Sequence, residues 1–129
     1  MEYTQKMLET YIERIMTDRF ASDVAIDNNE AKIKNLESEG KGIAKNLKRY
    51  RENLATFEEK KKQGIKNKED REQNKQLIEI VRGNITKAEN EYIANVGKID
   101  QHQKNVELYK EFLQSADESI EIARSKVAK

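Results

Sequence analysis

A single histidine, His102, and the absence of cysteine limit the chemistry that this chain of 129 residues can carry. A zinc or copper site built from nitrogen and sulfur donors needs several such ligands, so none is expected. A di-iron site inside a helical bundle needs inward-facing Glu-x-x-His motifs, and the residue three before His102 is Ile99. Nucleophilic catalysis needs a serine or cysteine beside a base. Here the only base falls within an apolar repeat, where a histidine serves to fix register. The triplet Gly40, Lys41, Gly42 lacks the further glycine and the Lys-Ser/Thr pair of a phosphate loop. The expectation is a protein that is not an enzyme, with no catalytic residue, no metal, no cofactor and no small-molecule substrate.

Charge is the remaining chemistry. The formal net charge is +1, yet residues 1–40 carry −4, residues 41–75 carry +6 and residues 76–129 carry −1. Lys45, Lys48 and Arg49, then Lys60, Lys61, Lys62, Lys66 and Lys68, make the middle of the chain basic. Such a cluster attracts phosphates through counterion release. It equally suits docking onto an acidic protein surface, or serves solubility, since Glu58, Glu59, Glu69 and Asp70 dilute it. Tyr50 and Phe57 both fall on apolar repeat positions, which leaves no stacking platform for bases.

The elements that hold these groups are helices. Charged residues make up 38% of the chain and proline is absent, a composition that with sustained periodicity means long exposed helices. From Ile78 to Val127 apolar residues recur in alternating steps of three and four, interrupted only by Asn95 and His102. A repeat averaging 3.5 residues gives one straight apolar seam that pairs with another helix. A second seam runs from Ile26 through Ile33, Leu36, Gly40, Ile43, Leu47 and Tyr50 to Phe57. Leu8, Ile12 and Ile15 begin a first stretch whose seam then drifts, because Arg19 and Ser22 take the next two positions. Asp27 and Glu30 have the spacing of a capping box, so residues 25–29 read either as a kink or break or as continuous helix. Gly64 suits the left-handed end of a helix, and Asn67 or Asp70 could cap the next one.

The predicted fold is all-α: one elongated domain over residues 1–129, a long antiparallel helical hairpin of coiled-coil type. Arm one covers 3–62, the turn 63–67 and arm two 68–127. Setting Ile43 opposite Ile85 places Gly40 against Ala88, Ile33 against Asn95 and Ile26 against His102, near Asp27 and Asn29. Towards the termini the apolar stripe is too wide for a two-helix seam. Met7, Tyr11, Met16 and Phe20 on one arm, and Leu108, Phe112 and Ile122 on the other, lie beside it. Such a base calls for a further partner, either a second copy or a first helix folded back into a three- or four-helix bundle.

At fold level this pattern resembles other long helical hairpins, which act as export-apparatus stalks, chaperone arms or small phage-encoded inhibitors. The expected function is therefore a coiled-coil interaction protein binding a protein partner as an adaptor, inhibitor or structural subunit, with a homodimer favoured. The alternative is sequence-independent nucleic-acid binding by the basic tip. No stretch approaches the roughly 18 apolar residues of a membrane span, and the start of the chain lacks a signal-peptide pattern. A cytoplasmic protein is expected, and abundant Lys, Asn, Ile and Glu suggest an AT-rich genome such as that of a phage or a low-GC bacterium.

Overall fold

The chain forms two long helices, α1 (Gln5–Gln63) and α2 (Lys68–Val127), joined by the short turn 64–67. They pack against each other as a helical hairpin in a computed structural model that describes residues 4–127. The expected start of arm one at residue 3 lies outside the described residues; otherwise the arms follow the predicted bounds within a residue.

Local chemistry sets each helix end. Thr4 caps α1 by accepting the Met7 backbone N–H on its Oγ1 at 3.1 Å. At the other end Gly64 adopts φ 89°, a left-handed conformation open to glycine without a Cβ penalty. Lys60, Lys61 and Lys62 occupy the last turn of α1, where cations favour the negative end of the helix dipole. Asn67 then caps α2, its Oδ1 accepting the N–H groups of Glu69 at 2.8 Å and Asp70 at 3.4 Å. Of the two candidate caps it is Asn67 that acts, while Glu69 and Asp70 bring negative charge to the first turn. The Arg71 guanidinium donates to the carbonyls of Ile65 at 3.0 Å and Lys66 at 3.1 Å, which closes the turn.

No break occurs at 25–29. α1 passes straight through, Asp27 stays exposed, and Asn29 turns inward to donate to the Ala25 carbonyl at 2.7 Å. Without glycine or proline, nothing in that stretch stops the helix. This also removes the version in which a separate first helix folds back. The seam of α1 does not drift either: Ser22 is buried and Arg19 half-buried, both in phase with Ile15 and Ile26. Ser22 satisfies its hydroxyl on the Asp18 carbonyl at 2.9 Å, so it can be buried there.

Register is the main correction. The Asn74 amide donates to the Phe57 carbonyl at 3.0 Å, the Asn95 amide to the Leu36 carbonyl at 2.8 Å, and His102 Nδ1 meets Asn29 Oδ1 at 2.8 Å. In all three pairs the residue numbers add to 131, and the close approach of Gly40 to Asn95 adds to 135, so the helices are set half to one heptad from the expected pairing. Asn95 therefore meets Leu36 and Gly40, not Ile33, and His102 meets Asn29, not Ile26. Gly40 faces Asn95 instead of Ala88: a Cβ built there would lie 2.8 Å from Asn95 Oδ1. The expected register maximised apolar and small-to-small layers. The one adopted lets polar seam residues on α2 reach acceptors on α1, and a buried amide without a partner costs more than an imperfect apolar layer.

The chain divides into two compact units. One comprises residues 1–34 with 99–129, the other residues 35–98. In the first, Ile26, Val106, Ala116, Ile120 and Ala123 are the buried hydrophobics; in the second they are Leu47, Ile78, Val81 and Ala88. Each core is one seam wide, so the flanking edges of each helix pair meet water.

Candidate functional site: one apolar edge of the first unit

The seam positions of a helix pair are flanked by two edges, and the heptad assigns every residue to one of them. In the first unit the two differ in chemistry. One edge carries Met7 and Tyr11 from α1 with Ile122 from α2, forming a groove with Leu8, Ser119 and Ala123. Further along the same edge a second groove lies between Ser22, Asn105, Leu108, Tyr109 and Phe112. Their volumes are close, about 450 Å³ and about 460 Å³. Five of the seven predicted partner-binding residues thus share one edge: Met7, Tyr11, Leu108, Phe112 and Ile122. Leu108 is 64% exposed and Ile122 59%, values that a seam residue does not reach.

Met16 and Phe20 are not part of that edge. Both lie on the opposite side, where Met16 borders a groove lined by Arg19, Asp117, Ile120, Glu121 and Arg124. Arg19 Nε donates to Asp117 at 2.7 Å and its Nη1 lies 3.5 Å from Asp23. The hydrogen bond that Asp117 accepts, together with that carboxylate's charge, raises the affinity of the Arg19 guanidinium for its proton above the ordinary value. Charge dominates this second edge, on which Met16 is 49% and Phe20 70% exposed.

Between the large residues of the apolar edge lie small ones that composition did not single out: Ala21 and Ala25 on α1, Ser115 and Ser119 on α2. The signal was available, since all four fall at the heptad positions that flank the seam. Arg14 and Asp18 interrupt the stripe on α1. Both are exposed, and among the described residues neither enters an ion pair, even with the other.

In the second unit the eight predicted basic residues, Lys45, Lys48, Arg49, Lys60, Lys61, Lys62, Lys66 and Lys68, are all exposed. Ion pairs between the helices here use other residues, Arg51 with Glu89 at 3.2 Å and Arg82 with Glu58 at 2.9 Å. Arg49 lies over the Tyr50 ring at 5.8 Å and Lys60 over Phe57 at 5.9 Å, so both half-buried rings are already covered by cations. Exposed Ile93 and Val96 on this unit lay outside the predicted set; they are 69% and 48% accessible.

His102 sits where a register-setting role requires. Asn29 gives its amide N–H to the Ala25 carbonyl, leaving its Oδ1 to accept from His102 Nδ1, with Asn105 Nδ2 at 3.4 Å on the same oxygen. The network assigns the ring proton to Nδ1. Of the two residues expected near the ring, Asn29 takes the bond and Asp27 remains at the surface. Among the described residues no helix is long and apolar enough to cross a membrane. The chain matches no protein-family profile, no curated protein and no solved structure, so its function is argued from this geometry.

Proposed function

We propose that this chain is a non-enzymatic coiled-coil interaction protein that binds a protein partner through the apolar edge of its first unit. The supporting observation is the gathering of Met7, Tyr11, Leu108, Phe112 and Ile122 along one edge, while the opposite edge is charged. A helical pair that leaves large apolar side chains in line accepts further helices, which bury them in the grooves. Adaptor, inhibitor and structural subunit are all roles such a surface can serve.

Affinity capture from the native host, with M7E/Y11E/F112E beside M16E/F20E, tests the reading. Partner recovery is expected to fall with the first variant and to persist with the second, with helix content equal in both. Unchanged recovery with M7E/Y11E/F112E would remove this edge as the docking surface. A second reading, nucleic-acid binding, draws support from the eight exposed cations of the second unit.

A further inference from the structure

We infer that the occupant of the apolar edge is a second copy of this chain, laid antiparallel so that the two first units form a four-helix bundle. This rests on the reading of that edge as a docking surface and goes on to name its partner. The inference comes from a symmetry in the order of residues along α1 and from the placement of the two grooves on both helices. On α1 the edge reads Met7, Tyr11, Arg14, Asp18, Ala21, Ala25. Reversed about residue 16, it places Met7 on Ala25 of the mate, Tyr11 on Ala21 and Arg14 on Asp18. Every large side chain meets a small one, and the two charges that break the stripe meet their opposites.

Reversed about the midpoint of Ser115 and Ala116, the α2 edge sets Phe112 level with Ser119 of the mate and Leu108 within one residue of Ile122, a pairing of two large apolar side chains. These two centres were found separately, yet they coincide in space. The two grooves, each lined by both helices, flank residue 16 on α1 (Tyr11 and Ser22) and residue 115 on α2 (Ser119 and Phe112), which brings the centres level. One two-fold axis therefore serves both helices, as an isologous dimer requires. It also exchanges the two grooves, so that the groove beside Tyr11 and Ile122 lies over the groove beside Phe112. A self-complementary surface of this kind gives ion partners to Arg14 and Asp18, which have none among the described residues.

Sedimentation equilibrium of the full chain should give twice the 15.1 kDa chain mass. Each dimer contains two Arg14–Asp18 contacts, so R14D should raise the dissociation constant by about tenfold or more, with like charges now opposed. R14D/D18R should restore it. With no native cysteine, single-cysteine variants report geometry directly. S115C on the axis should be joined into a covalent dimer by a short bis-maleimide, whereas M16C, level with the axis but on the charged edge, should not. A monomer at about 100 μM, or failure of R14D/D18R to restore association, overturns the inference. Cross-linking through M16C but not S115C also overturns it. A monomer that still captures a different protein through Met7, Tyr11 and Phe112 would sink the second copy and leave the docking surface standing.

Discussion

Gly40 and Gly42 lie two residues apart on α1, and their surroundings give them opposite roles. Nothing lies within 4 Å of a Cβ added at Gly42, so G42A should gain the helix propensity that glycine forgoes, about 1 kcal/mol. At Gly40 the same Cβ would meet Asn95 Oδ1 at 2.8 Å, and Asn95 cannot swing aside without losing its bond to the Leu36 carbonyl. G40A is therefore expected to destabilise despite its propensity gain. In an N95A background the clash disappears, and G40A should become stabilising. Urea unfolding of the four variants checks this, and additive effects of G40A and N95A would refute the close approach. The importance of both residues was readable as polar or small interruptions of an apolar repeat. Their mutual contact was not, because periodicity fixes the phase of each helix and leaves the register between them open.

For the helices as elements, the turn carries the specific information. Asn67 satisfies two backbone N–H groups of α2, so N67A should cost about 1 kcal/mol. Gly64 at φ 89° makes G64A unfavourable by about 1 kcal/mol as well. D70A, by contrast, should cost only a few tenths of a kcal/mol, since Asp70 contributes its charge and not the cap. Thermal unfolding by circular dichroism measures all three, and an N67A effect no larger than that of D70A would contradict the cap. The Arg19–Asp117 pair illustrates how pattern reading misjudges a seam. A charged residue at a seam position reads as drift, but an arginine can lay its stem along the seam and take its charge to Asp117 at the edge. Because the guanidinium's affinity for its proton is raised, stability from the arginine would be lost only as pH rises through that value, far above neutrality.

The accessible surface is 10190 Å², whereas a compact monomer of 15.1 kDa exposes about 7,000 Å². Charge follows the two units: residues 1–34 with 99–129 sum to −3 and residues 35–98 to +4. If the basic unit grips a nucleic-acid backbone, a short duplex should bind at low salt without sequence preference. K60E/K61E/K62E should then weaken binding uniformly and flatten its salt dependence. No electrophoretic shift at low ionic strength would dispose of that reading while leaving protein docking untouched.

The sequence by itself determined the helices, the turn at Gly64, the seam phases and the surplus of apolar residues near the termini. Each of these depends on neighbours along the chain: a 3.5-residue repeat, a glycine open to positive φ, a proline-free run of good helix formers. Only the tertiary structure decided which residues meet across the pair. Register depends on the summed fit of two helices. There the hydrogen bonds of Asn74, Asn95 and His102 outweighed the apolar layering that pattern alone favours. The same packing sorted the apolar surplus, placing Met7, Tyr11, Leu108, Phe112 and Ile122 on one edge and leaving Met16 and Phe20 on the other. An edge belongs to two helices at once, so no single stretch of sequence contains it.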